Sequence, residues 1–591
     1  MTHASLRRSR VVPALLGVCL LAAGCGSDDK DSVSSSPTTA VTATTTASST
    51  AGTAAGTDTT VAGSTDASTA SSTASSTGEG TESTAGTDTT TAATTAATEA
   101  PVTDADTSRR LRLIGTNGVQ QMDPVTSVVP CEAEMLRWVY DSLIYQKPDG
   151  SLAPGLAESW ESPDPNTFIL HLRSGVTFQD GTDFDAAAVK THLERAQTLA
   201  TSALVDQLAS IESIDTPDDL TVVLNLNAPR AGIFPSIFTD RAGMVPSPKA
   251  VDAAGDTYGA TGGVGAGPYK YDSHTPAEDM HVSTWDGYWN AADRYLAGID
   301  MIGAGTEFQT QRIADGEVDY AAMKDVQLPE AETAKSDGTV DYKLSPTAQY
   351  AEIYINWNVA PFDNLLVRQA LEYAIDRDLL AESLTEGSAT PAYSPLPSDS
   401  WAHDSAVDSI YSYDPAKAKE LLADAGYPDG LTVTAGQIDN PYYQRLSQAV
   451  QDMVKESGFN FELESVTGAE INNRLYQLKD LPVAITAFRG SADPGLTLEA
   501  KFSSTGGSNP AAVTADGIDD LLAEGASSVD QDVRAEAYKK AEKIIMDQAL
   551  SVPIFHNGGL VAYVPELQGV EKGYTTCQFG DFVTGTVYFE K

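Results

Sequence analysis

The chain has 591 residues, with 37 Lys and Arg against 82 Asp and Glu and a formal charge of −45. That surplus of acid excludes a nucleic-acid backbone as the main partner, because such a partner needs a basic footprint. Seven His and four Cys leave little material for a zinc or iron–sulfur centre, whereas 41% hydrophobic residues suffice for a real core and the length predicts more than one lobe.

Arg7, Arg8 and Arg10 open the chain with positive charge, an apolar run from Val11 to Ala23 follows, and Gly24-Cys25 closes it. This layout predicts a secretory signal over residues 1–25, too short to span a bilayer comfortably. Its Leu21-Ala22-Ala23-Gly24-Cys25 ending resembles a bacterial lipobox, in which the Cys25 thiol is lipidated; the alternative is an ordinary cleaved signal with an incidental cysteine. Residues 26–106 are Thr, Ser, Ala and Gly with sparse acid and no aromatic side chain. Such a segment cannot bury enough apolar area to offset its backbone entropy, so a disordered tether is expected. As a coil it averages roughly 50 Å end to end.

The folded part begins near Arg109, and its 33 basic and 71 acidic residues show that the acidity belongs to it rather than to the tether. Leu111-Arg112-Leu113-Ile114 predicts a buried first strand, and Ala133–Tyr145 a helix with Met135, Leu136, Val139 and Leu143 on one face. Asp149-Gly150 and Asp180-Gly181 predict turns between strands. Val367, Ala370, Leu371 and Ala374 share the core face of a helix, and Asp414-Pro415 predicts a helix start, Asp capping the free N–H groups and Pro suiting the first position. Strand and helix signals alternate to the end, which predicts an α/β architecture. Metalloprotease, nucleophile-elbow and phosphate-loop motifs are absent from the sequence, and the Gly262–Gly267 run leads into Pro268 rather than a helix. His274 and His281 are too isolated to suggest a metal or haem cargo. No enzyme, no cofactor and no resident metal are expected.

Several blocks then occur in a characteristic order: Tyr140-Asp141-Ser142-Leu143-Ile144; Pro154-Gly155-Leu156-Ala157-Glu158-Ser159-Trp160; Phe168 through Phe178-Gln179-Asp180-Gly181; Gly265-Ala266-Gly267-Pro268-Tyr269; Pro361-Phe362-Asp363-Asn364 through Ala374-Ile375-Asp376-Arg377; and Tyr413-Asp414-Pro415 through Ala425-Gly426-Tyr427-Pro428. Together they resemble the extracytoplasmic solute-binding proteins of the dipeptide, oligopeptide and nickel ABC-importer family.

The resemblance implies a two-lobed α/β fold of periplasmic-binding-protein type II, with an enlarged N-terminal lobe (107–350, completed by 555–591), a C-terminal lobe (351–554) and a two-strand hinge. The crossings are expected near Tyr350–Asn358 and Ser551–Asn557. A ligand, peptide-like or otherwise polar, is held in the cleft by hinge closure and passed to ABC permease subunits. The protein is then exported, monomeric and tied to the outer face of the membrane by its lipid alone. The alternative is a surface receptor or adhesin that reports to a sensor.

Residues implied at the cleft are Tyr350, Glu352, Tyr354 and Asn356, which alternate along the first crossing; His556 on the return; Cys131 and Glu132 after the first strand; and Phe488, Arg489 and Asp493. Peptide-binding relatives have Trp where Phe488 falls, and near Ser491 an Asp that pairs with the peptide's amine. Here Glu352 or Asp493 must substitute as ammonium partner, or Arg489 receives an anionic group instead. A Cys131–Cys577 disulfide is also implied, both chain ends belonging to one lobe.

Overall fold

Ten strands form one continuous path in the computed structural model, which describes residues 102–115, 118–129, 132–147, 150–303, 307–491, 493–572, 582–583 and 587–591. The expected signal peptide, nearly all of the expected tether, Cys25, Cys131 and Cys577 lie outside the described residues, and with them the implied Cys131–Cys577 pairing. The path runs Phe459–Val466, Leu431–Ile438, Val483–Arg489, Asp341–Ile355, Val552–Tyr563, Tyr320–Met323, Leu111–Gly115, Gly298–Gly303, Asp279–Thr284 and Tyr269–Thr275. Thr390–Pro391 adds a short strand beside the return strand Val552–Tyr563.

Two long antiparallel strands, Asp341–Ile355 and Val552–Tyr563, carry the path through its middle. Their register breaks there. Pro346 pairs with Gly558 and Tyr350 with His556, so residues 347–349 oppose Asn557 alone. A bulge of this kind locally disrupts the ladder and bends the strand. Thr347 Oγ1 donates to the Asn557 carbonyl at 2.8 Å, which satisfies one of the loosened groups. Only glycine fits at 558, because a Cβ there would stand 2.2 Å from the Ser388 carbonyl oxygen. The two strands extend beyond the segments expected as crossings, back to Asp341 on the first and on to Tyr563 on the return.

The cores lie on either side of this bulge. One gathers Leu111, Leu113, Tyr269, Ile299 and Met301 with Val561, Tyr563 and Phe589 from the chain's end. Another gathers Ile353, Ile355, Leu371, Val433, Phe461, Ile485 and Phe555. A third fills a four-stranded antiparallel sheet (Ala157–Asp164, Thr167–Leu172, Thr221–Leu226, Ile211–Asp218) under the helix Ala186–Thr198. Asp185 caps that helix through Ala188 N. The helix expected over 133–145 is corrected by the structure: it runs Glu132–Tyr140, and Leu143 is buried in the turn before the strand Ile144–Gln146. Asp141 takes a left-handed φ of 64° there, which ends the helix.

Candidate functional site

Strand direction locates the site. Leu111–Gly115, Gly298–Gly303 and Tyr320–Met323 run parallel, as do Leu431–Ile438 and Val483–Arg489. In the first set Met323 pairs with Leu560, and in the second Arg489 lies opposite Gln349. The C-terminal ends of both sets therefore point at the same bulge from opposite sides. In α/β sheets ligands bind outside the carboxyl ends of parallel strands. Loops follow Ile438 and Arg489 at these ends. Asn557, at the bulge, donates from Nδ2 to the hydroxyl of Tyr442 at 3.3 Å.

The implied site residues divide into rows around this point. Tyr350 pairs with Phe488 on one neighbour and His556 on the other, and its ring centroid is 5.8 Å and 5.5 Å from theirs. Gln349 and Arg489 form the next row toward the loops, and both are half-buried. Glu352, Tyr354 and Asn356 lead away from the bulge; Tyr354 joins a small core with Ile471, Leu475, Leu481 and Ala484, on the face opposite Ile353 and Ile355. Tyr354 donates to the Ser508 carbonyl and Asn356 to that of Lys479. Four implied residues thus meet at the bulge, and three lie progressively farther from it.

Glu352 is fully buried and already paired. Lys501, 1% exposed, reaches it from the helix Pro494–Phe502 and forms an ion pair with Oε2. The same ammonium donates to Tyr350 Oη at 2.9 Å and Ser551 Oγ at 3.2 Å. It also lies 4.9–5.5 Å from the ring centroids of Tyr350, Phe488, Tyr354 and Phe502. Burial pushes the Lys501 ammonium below the ordinary lysine pKa, against the pull of the Glu352 charge. The Tyr350 hydroxyl is pushed well up, by burial first and the Glu352 charge second.

Asp493 is engaged as well. Its Oδ1 caps the helix Pro494–Phe502 through Gly495 N at 2.8 Å, the Asp-Pro start that also opens the helix at Asp414. Its Oδ2 accepts from Arg534 and from Ser236 Oγ, each at 2.7 Å. Neither carboxylate expected to substitute as ammonium partner is therefore open to one in this structure. Ser236 belongs to the segment beside the four-stranded sheet, and that segment makes a second link to the far half. Arg230 grips Glu499 bidentately at 2.5 and 2.7 Å. Ala526 enters the core of the four-stranded sheet, and Leu496 and Val529 pack against it.

His556 borders a cavity of about 250 Å³, with Thr390, Tyr393, Ser398, His403 and Asp408 around it. Its Nε2 is 3.2 Å from the Ser394 carbonyl, and its buried Nδ1 has no partner among the described residues. Burial lowers its pKa to about 4. His403 is the opposite case: burial would lower it, but Glu542, 2.8 Å from Nδ1, and Asp408 raise it overall. The depressed value makes His556 a proton-uptake site on unfolding, so its contribution is present above pH 6.5 and lost as pH falls toward 4. The stability gap between wild type and His556→Gln is expected to narrow by on the order of 3 kcal/mol over that window, read by urea unfolding at several pH values. A gap independent of pH would mean that His556 titrates freely. Among the described residues no cluster of three or more His, Cys, Asp or Glu could hold a metal ion.

Glu132 turns inward, accepting from Gln120 N and Ser127 Oγ, and is fully buried. Sequence reasoning missed Lys501, Arg534, Arg230 and Glu499. Lys501 left a trace, because it falls at helical spacing after Thr497 and Leu498, on the buried face of a mostly apolar helix.

Comparison with known proteins matches residues 151–509 to the family described as bacterial extracellular solute-binding proteins, family 5 Middle. The chain is similar to the glutathione-binding protein GsiB of Escherichia coli K12, 28% identical over 475 residues that cover 77% of this chain and 90% of that protein. Its fold is that of the periplasmic binding protein DppA of Helicobacter pylori, an ABC-transporter-associated protein solved with the peptide STSA. The match has a TM-score of 0.68 and 24% identity, over 82% of this chain and 98% of DppA. HbpA2 of Haemophilus parasuis matches with a TM-score of 0.71 and 21% identity, over 82% of this chain and all of HbpA2. These likenesses establish the two-lobed type II binding-protein fold.

Proposed function

The chain belongs to the bacterial extracellular solute-binding proteins of family 5, and from that premise we propose that it captures a small polar or peptide-like solute by closing its two lobes around the bulged crossing, then delivers it unchanged to an ABC permease. One observation carries the reading: the carboxyl ends of two sets of parallel strands face each other across a two-strand connection whose register breaks at 346–350 and 556–558. That geometry provides a site contacted from both sides and a place for the chain to bend. Closure is favoured only by the extra contacts a ligand makes in the closed form. Glutathione and a peptide are the solutes named for two relatives, so peptide-like solutes with and without a free amine are the class to test first. Within the proposed cleft, Arg489 and Gln349 form the half-buried row at the bulge, and Arg489 suits a carboxylate or phosphate, which a guanidinium reads bidentately.

Solute addition is expected to raise the melting temperature and reduce the radius of gyration of wild-type protein. A screen of short peptides, oligosaccharides and metal chelates that moves neither quantity in solution scattering and thermal denaturation counts against capture. Lipidation at Cys25 and the Thr-rich tether would hold a monomeric binding domain at the outer membrane surface within reach of its permease. Cys25→Ser is expected to move the protein from the membrane fraction to the medium; full retention on membranes would refute lipid anchoring.

A further inference from the structure

Lys501 occupies a place built for an amine. Four aromatic rings surround its ammonium at 4.9–5.5 Å, a buried carboxylate pairs with it, and the Tyr350 and Ser551 hydroxyls accept its remaining protons. Aromatic faces about a carboxylate are the chemistry by which proteins recognise alkylammonium ligands. A buried ion pair repays its desolvation only when its remaining lone pairs are satisfied, so the pair by itself does not account for this cage. The cage also stands where a ligand would come close. Tyr350 and Phe488, two of its walls, are the strand pair immediately beneath Gln349 and Arg489, at the bulge where the cleft opens. Phe488, at 8%, is its most exposed wall.

We propose that Lys501 is a tethered ammonium filling an amine-recognition cage made by Glu352, Tyr350, Tyr354 and Phe488, so that the cleft rejects solutes bearing a free amine and selects those read through anionic or neutral groups. The inference deepens the solute-capture reading and rests on it. Glu352 Oε1 has no hydrogen-bond partner among the described residues, so the carboxylate retains accepting capacity for an amine that enters in place of Lys501.

Truncation exposes the cage to a free ligand. Lys501→Ala is expected to melt several degrees below wild type and to recover most of that loss in 10 mM n-butylammonium chloride, but not in n-butanol, which has the same length and no charge. Wild type should respond to neither. By calorimetry, tri-alanine should bind Lys501→Ala at least tenfold more tightly than wild type. The gain should vanish for N-acetyl-tri-alanine and in the Lys501→Ala/Glu352→Gln double variant. Equal rescue by alcohol and amine, no rescue by either, or an unchanged preference for tri-alanine would each overturn the proposal. If Lys501→Ala does not fold by itself, refolding it in n-butylammonium chloride against sodium chloride reads the same property, and equal recovery in the two salts overturns it. The capture reading is judged separately, by compaction of the wild-type protein.

Discussion

Glu352→Ala is expected to lower the unfolding free energy by about 3–5 kcal/mol, the range for leaving a buried ion without its partner. The Lys501 ammonium would remain 1% exposed with two hydroxyls and four rings for company, and no negative charge. It could escape only by giving up its proton or by dragging the helix Pro494–Phe502 out of place. Either route draws on stability that for a whole domain amounts to about 5–15 kcal/mol. Replacing both partners together, Glu352→Gln with Lys501→Met, should cost much less, because two matched charges leave the interior at once. A double-mutant cycle in urea is the measurement. If the double change costs the sum of the Glu352→Gln and Lys501→Met single changes, the pair is not coupled and the assigned geometry is wrong.

That the pair escaped the sequence has a physical reason. Alternation along 350, 352, 354 correctly placed three side chains on one face, because strand geometry is local. What lies over that face is Lys501, about 150 positions away, brought there by a helix whose docking no local pattern encodes. The same gap explains Asp493. Its Asp-Pro context carries the helix-start signature read at Asp414-Pro415, and the structure gives both residues that role. Its second partner, Arg534, is a tertiary matter. The bulge left only scattered signals, Pro346 on one strand and Gly558-Gly559 on the other, and its register arises from pairing across 210 positions of chain, as between Thr347 and Asn557. Conversely, the buried positions 367, 370, 371 and 374 were plain, since 3.6-residue spacing is imposed by a single helix.

Gly232→Ala should separate folding from closure. A Cβ at 232 would stand 1.8 Å from the Ser528 carbonyl oxygen and 2.9 Å from that of Ala526, both backbone atoms that cannot swing aside. Residues Ala231–Ile233 flank the four-stranded sheet, whereas Ser528 follows the helix Ile518–Ser527, which packs against the helices Pro494–Phe502 and Gln531–Asp547. If this contact is made only when the lobes shut, the methyl group acts as a wedge in the closed form and meets nothing in the open one. Solute affinity should then fall on the order of 100-fold, a closed-state penalty of about 2.7 kcal/mol, while the melting temperature of the unliganded protein scarcely moves. The Arg230–Glu499 and Ser236–Asp493 contacts would be broken with it, since they join the same two surfaces. Scattering should show the variant failing to compact with a solute that compacts wild type. A large drop in melting temperature with affinity intact would mean the reverse: the surface is a permanent part of the fold, and the lobes must close elsewhere.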